Sequence, residues 1–183
     1  MFERPIPKKT VVRAIRITEE LDRILRDEAD AKNISVASLV QSIFTRYAEW
    51  DRYAEKFVHY SLPSDGFRAI IEAADEETML RNAEDESPKA VKAFSLFWFK
   101  EFNVDTFLRG IALNSKYGRH YDCQISNDGK QASISIHHAL GQKWSNVLSK
   151  QFGGALKMLG VVAQFDSITE ESVVFRFPHR HVE

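Results

Sequence analysis

One cysteine, Cys123, in 183 residues excludes an internal disulfide and every zinc motif built on paired cysteines, and it suits a reducing compartment. Long apolar runs are missing too. No stretch of about 18 apolar residues occurs, so no membrane-spanning helix and no membrane partner are expected. The opening MFERPIPKKT is charged and carries prolines where a signal peptide needs an apolar segment, which makes the cytoplasm the expected location. Excess charge of one sign is lacking: a formal net charge of -1 is not that of a non-specific nucleic-acid coat. Catalytic signatures are absent as well. There is no Walker loop, no Gly-x-Ser-x-Gly and no His-Glu-x-x-His, and Gly153-Gly154 sits inside a helical pattern rather than after a strand. The carboxylates Asp75, Glu76, Glu77, Glu84, Asp85 and Glu86 read as solvated helix faces rather than a magnesium cluster. An enzyme is not expected.

What is present is a real core and an uneven charge. Thirteen Phe residues and 44% hydrophobic content supply enough apolar surface for one ordinary domain plus a small module. The first seventeen residues hold Arg4, Lys8, Lys9, Arg13 and Arg16 against Glu3 alone, whereas Glu72 to Glu86 is mainly acidic. A basic arm on a near-neutral protein suits local phosphate contact. Residues 10–17, TVVRAIRI, have the β-branched content of a short strand. Thr18 then offers an N-cap with Glu19 and Glu20 behind it, and Leu21, Ile24 and Leu25 recur at helical spacing. Asn33 suits a left-handed cap, and Ser35 caps a second helix whose stripe is Leu39, Val40, Ile43, Phe44, Tyr47 and Trp50, running on toward Phe57. A lone strand and two helices cannot bury both stripes. Two copies can, by pairing their strands antiparallel across a two-fold axis and pooling four helices.

The segment VVRAIRITEELDRILRDEADAKNISVASLVQSIFTRYAEW resembles the ribbon-helix-helix fold of the Arc/MetJ/CopG superfamily, over roughly residues 10–50. The resemblance implies an intertwined homodimer whose two-stranded ribbon enters the major groove of double-stranded DNA. Turning Ile15 and Ile17 inward puts Val12, Ala14 and Arg16 outward. Of these Arg16 is the strong base reader, able to grip guanine through two hydrogen bonds, while Val12 and Ala14 touch at most thymine methyl groups. Arg13 has core parity and is expected near the outer end of the strand, reaching a phosphate or a partner carboxylate. Thr10, Lys8 and Lys9 extend the arm. Ser35, with the backbone amides of Val36 and Ala37, is expected to hold a DNA phosphate at the start of the second helix.

Beyond an extended piece around residues 59–62, Pro63 and Ser64-Asp65-Gly66 mark a boundary. The expected domains are a basic arm (1–9), a ribbon-helix-helix domain with an extended second helix (10–58) and an α+β domain (59–183). In the last, Ser64 or Asp65 caps a helix through Ala74; others follow near 76–85, from Pro88 to Glu101 and from Val104 to Lys116. After Gly118 the pattern becomes a hairpin, an amphipathic helix with Trp144, Val147, Leu148, Phe152, Leu156 and Leu159 inward, and a second hairpin. The fold class is therefore α+β: helices, then β-β-α-β-β with a mainly antiparallel sheet.

Reading Asp128-Gly129 as a type I′ turn pairs His120 with His137 and places Asp122 and Ser135 on their face. His120, Asp122 and His137 form a candidate site for a divalent metal, zinc or nickel; the plainer alternative is a solvated polar sheet face. Nickel-sensing members of the superfamily join such a ribbon to a metal-binding α/β domain, without this ligand spacing. His138 falls on the other face with Cys123. The aromatic run Phe94-Ser95-Leu96-Phe97-Trp98-Phe99, with Phe102 and Phe107, is core or the lining of a small-molecule effector pocket. Helices followed by two hairpins around a helix are similar to the order in small-molecule and nitric-oxide sensing domains. The SIHHALGQKWS segment is similar to an uncharacterised archaeal set of ribbon-helix-helix proteins. The sequence thus leads to a homodimeric transcriptional regulator with a C-terminal ligand-sensing or oligomerising domain, a second dimer binding alongside the first. The competing reading is a dimeric protein-interaction or assembly factor without specific DNA binding, motivated by the apolar Val12 and Ala14.

Overall fold

The structure, a computed structural model, describes residues 11–57 and 62–179. The chain forms two compact units, Met1–Ala48 and Glu49–Glu183. The expected boundary lay ten residues further on, after residue 58.

In the first unit, α1 (Glu19–Ala31) begins at Thr18, whose Oγ1 accepts from Leu21 N at 3.2 Å, and Glu19, Glu20 and Asp22 complement the helix dipole in the first turn. It stops in a Schellman motif. Asn33 takes φ 53°, its N–H bonds Asp30 O at 3.0 Å and Ile34 N bonds Ala29 O at 3.0 Å, satisfying two end carbonyls. Then α2 (Val36–Arg46) starts at Ser35, whose Oγ accepts from Ser38 N at 3.1 Å. Residues 11–17 have no ladder hydrogen bonds among the described residues. Of the strand expected over 10–17, the described residues 11–17 form none within one chain, because a strand exists only against a neighbour and the described residues of this unit offer none.

The helical run continues through a π-helical turn (Tyr47–Asp51) into α3 (Arg52–Phe57). In the second unit, Trp50 is buried against Phe94 and Trp98, with ring centroids 6.3 and 5.5 Å away, and Phe57 meets Phe94 edge-on. Next comes α4 (Ser64–Ala73). Pro63, not Ser64 or Asp65, occupies its N-cap position, because the extended proline leads straight into the first turn and no side chain caps it. Helix α5 (Glu76–Asp85) is capped by Asp75, and α6 (Ser87–Phe99) carries Pro88 in its first turn and ends on Lys100 at φ 65°. Asn103 and Thr106 form a reciprocal capping box for α7 (Val104–Leu113), each backbone N–H to side-chain bond being 2.9 Å long. A second π-helical turn, Asn114–Gly118, follows where a regular helix to Lys116 was expected. The two π turns are tied together: Glu49 Oε2 accepts from Lys116 Nζ at 3.0 Å and from the Tyr117 hydroxyl at 2.7 Å.

Strands β1 (Asp122–Asn127) and β2 (Gln131–His137), helix α8 (Gln142–Met158), and strands β3 (Gln164–Ile168) and β4 (Ser172–Pro178) complete the unit. The sheet is antiparallel throughout, in the order β1-β2-β4-β3, which makes the unit α+β as expected. Period-two alternation sets its sidedness. Ala132, Ile134 and Ile136 of β2 and Val173, Phe175 and Phe177 of β4 have no exposed surface and lie under Leu148, Phe152 and Leu156 of α8 and Phe107 and Ile111 of α7. On α8 the inward stripe also includes Ser145 and Ala155, while Trp144 and Leu159 are only partly buried. The register slips between Phe165 and Ser167, forming a bulge on the β3 edge.

The first hairpin turns one residue later than expected. Asp128 N bonds Gln131 O at 3.2 Å, so Gly129 and Lys130 are the central pair. A type I′ turn needs positive φ at both; here Gly129 has φ 87° and Lys130 does not share that region, as in a II′ turn. The Asp128 carboxylate fixes the choice by accepting from Lys130 N at 2.9 Å and Gln131 N at 2.8 Å.

Glycines inside α8 have a packing cause. A Cβ on Gly154 would stand 2.5 Å from Pro88 Cγ, so α8 and the start of α6 approach closely only because that atom is missing. Helix propensity alone would make Gly154→Ala stabilising by about 1 kcal/mol. The clash reverses the sign: urea unfolding of Gly154→Ala should show a loss of roughly 1–3 kcal/mol, and a gain would contradict this packing.

Candidate functional site

Two regions bear on function. In the first unit, Val12, Arg13, Ala14 and Arg16 are all exposed, and so is every residue from Val11 to Glu20. Lys8, Lys9 and Thr10, with the rest of the basic arm, lie outside the described residues. Ser35, Val36 and Ala37 open α2, where the first-turn N–H groups have no intrahelical acceptors. The unit has almost no core of its own. Ala29 and Leu39 are its only buried residues among those described, whereas Val12 is 92% exposed, Ile24 56% and Phe44 56%, with Ile15, Ile17, Leu21 and Ile43 also open to solvent.

In the second unit the expected metal ligands are not brought together. The observed register pairs Asp122, not His120, with His137, because the turn lies one residue later. His137 is exposed on the outer sheet face, its Nε2 3.0 Å from Ser135 Oγ. His120 precedes β1 and lies against the Phe67 ring, 5.8 Å between centroids, on the side of the helices. No group of three His, Cys, Asp or Glu side chains suited to a metal occurs among the described residues. Cys123 is half-buried, and burial pushes its thiol up, away from the thiolate that nucleophilic or redox work requires.

His138, adjacent in sequence, has a role that spacing did not reveal. Leu140 N donates to its Nδ1 at 3.2 Å, which leaves the ring proton on Nε2. Nε2 lies 2.9 Å from Ser145 Oγ, and that hydroxyl donates in turn to the Thr169 carbonyl. The imidazole therefore donates to the serine and cannot serve as its base. Ser145 has no exposed surface and His138 is half-buried, and the pair clamps together the end of β2, the first turn of α8 and the β3–β4 connection. Burial lowers the His138 pKa, the neighbouring His137 adds to this and Glu171 opposes it. Protonation would also set an Nδ1–H against the Leu140 N–H.

Between the helices and the sheet of this unit lies a cavity of ≈ 300 Å³. Phe67, Val91, Phe94, Tyr121, Trp144 and Phe152 make much of its wall, and the lining residues with polar side chains include Ser95, Asn114, His120 and Gln151. The aromatic run thus divides: Phe94 faces both the cavity and the Trp50 cluster, while Phe97 and Trp98 belong to the cluster. Two buried polar atoms of lining residues, Ser95 Oγ and Trp144 Nε1, have no hydrogen-bond partner among the described residues. Leaving such a group unmade costs about 1–3 kcal/mol, so their presence in an apolar wall asks for a reason.

Comparison with protein-family models, with curated proteins and with solved structures finds no match to this chain. No helix among the described residues is long and apolar enough to cross a membrane.

The clamp predicts a pH dependence. An imidazole whose folded pKa is below its unfolded value of about 6.5 binds protons more readily in the unfolded chain, so stability is whole above that value and is lost as pH falls through the lower folded one. Urea unfolding at pH 7.5 and 5.5 should show a smaller acid loss in His138→Gln than in the parent; equal losses would remove His138 as the cause.

Proposed function

We infer that the chain is a homodimeric, cytoplasmic DNA-binding transcriptional regulator, its first unit a ribbon-helix-helix module and its second a ligand-sensing domain. The observation that carries this reading is the apolar surface that the first unit leaves open. Burying a Leu, Ile or Phe side chain is worth about 1.5–3 kcal/mol, so covering Ile15, Ile17, Leu21, Ile24, Ile43 and Phe44 amounts to on the order of 10 kcal/mol, comparable to the whole stability of a small domain. A second copy supplies a matching face and gives residues 11–17 the neighbour that a strand requires. In such a dimer the exposed Arg16 is placed to read a base edge and Arg13 to meet phosphate, and the Ser35 turn, whose side chain already holds Ser38 N, presents the amides of Val36 and Ala37 to a phosphate. Lys8, Lys9 and Thr10 would add arm contacts.

A second reading has one observation in its favour. Val12, at 92% exposure, and Ala14 offer the groove apolar contacts rather than polar readers, which also suits a dimer that grips another protein.

Sedimentation and DNA selection on the purified full chain separate these. The regulator is expected to be dimeric at micromolar concentration, to enrich a defined double-stranded sequence, to bind it with an affinity that falls steeply as salt rises, and to lose about tenfold or more on Arg16→Ala. A folded monomer ends both readings; a dimer that enriches no sequence and shows no salt dependence leaves the protein-interaction one.

A further inference from the structure

We propose that the cavity of the second unit is a binding site for a mainly apolar, aromatic molecule about the size of two fused rings. This deepens the sensing half of the regulator reading and rests on that reading for its biological meaning.

Size follows from volume. A cavity of about 150 Å³ lined by Leu, Ile and Phe takes one benzene, and this one is ≈ 300 Å³. An aromatic body follows from the wall, to which α3, α4, α6, α7 and α8 contribute Phe57, Phe67, Phe94, Phe107, Trp144 and Phe152. The accessible surface of the cavity is predominantly apolar, and a few polar groups in such a wall are the usual make-up of a small-molecule site. Here the polar members are Ser95, Asn114, His120 and Gln151, and the Asn114 amide is already turned to Gly110 O at 3.0 Å. His120 is the one lining side chain able to carry a positive charge, and no Lys, Arg, Asp or Glu is among the described lining residues. Four polar side chains accommodate a polar substituent on the ligand. They do not replace the water lost by a ring that is polar around its whole edge.

Two features tie the cavity to the rest of the unit. Asn114 opens the π turn Asn114–Gly118, and the absence of a side chain at Gly118 keeps that turn close to His120, since a Cβ there would stand 3.4 Å from His120 Cδ2. Single π turns within helices recur at functional sites. Phe94 is wall on one side and on the other stacks on Trp98, with centroids 4.1 Å apart, while Trp98 Nε1 donates to Glu49 O at 3.3 Å. An occupant that touches Phe94 is therefore one ring away from Trp98, which does not itself line the cavity.

The test uses the full chain without DNA, so its outcome is independent of whether the first unit binds an operator. Titration calorimetry is run with naphthalene, with the smaller benzene, and with purine, a fused bicycle whose edge is polar throughout. Naphthalene is expected to bind roughly tenfold tighter than benzene and more than about tenfold tighter than purine. Val91→Phe and Ala90→Leu each add volume to the wall and should weaken naphthalene about fivefold or more. Ala90 is exposed on α6, so its variant should melt as the parent does even where Val91→Phe does not fold. In a proton–nitrogen correlation spectrum of the parent, the indole N–H signals of Trp144 and Trp98 should both move as naphthalene is added. No binding of naphthalene, benzene or purine binding as tightly, folded variants that keep the parent affinity, or binding that leaves both indole signals in place would overturn the proposal. Should naphthalene bind as expected while DNA selection fails, the pocket stands and the regulator reading falls.

Discussion

The pairing of β2 with β4 is the constraint on which the second unit depends. Each hairpin has one apolar and one polar face, and neither is stable alone. Joining them through their inner strands places Ile134 beside Phe175 and Ile136 beside Val173, so that the two apolar faces become one surface broad enough for α8 to cover. Phe152 of α8 then stacks on Phe175 with centroids 5.9 Å apart and meets Phe107 of α7 edge-on. Everything on the helical side is positioned from that surface. The close approach of α8 to Pro88, the placement of α6 and the cavity walls follow in sequence.

Much of this was legible in the chain, because it is written in periods. The alternation in SISIH and VVFRF gives strands and sidedness directly, α1 begins at its cap signal Thr18, and α5 and α6 begin within a residue of where they were expected. What could not be read depends on choices between near-equal local options, or on contacts between residues distant in sequence. Asp-Gly-Lys accommodates two turn positions; the Asp128 side chain decides by taking two amides, and the shift moves His120 away from His137. Ser145 and His138 meet across a loop with no periodic relation, and Ser95 looks like a small filler in an aromatic stripe. The π turns add a residue to a helix without changing its composition. In the first unit the informative feature was a shortage: one copy of the helices has too little opposing apolar surface.

Polar groups inside the second unit fall into two kinds, and the difference is physical. The His138–Ser145–Thr169 chain has every donor directed at an acceptor, so low dielectric strengthens it and it fixes three segments relative to one another. Ser95 Oγ and Trp144 Nε1 have the opposite balance, being buried with no hydrogen-bond partner among the described residues. A fold tolerates such a deficit where the protein is stable enough elsewhere. The fully packed sheet face provides that stability.

The bulge between Phe165 and Ser167 has a consequence for how the molecule behaves among its own kind. An open sheet edge is a template on which another chain can lay down a strand, and β3 is one of the two edges here. By breaking the even spacing of amide and carbonyl groups on the five-residue β3, and by setting the charged Asp166 at the irregularity, the chain makes that side a poor seed for fibrous growth. Lateral accretion of sheets is thereby discouraged at the strand next to the most apolar part of the sheet.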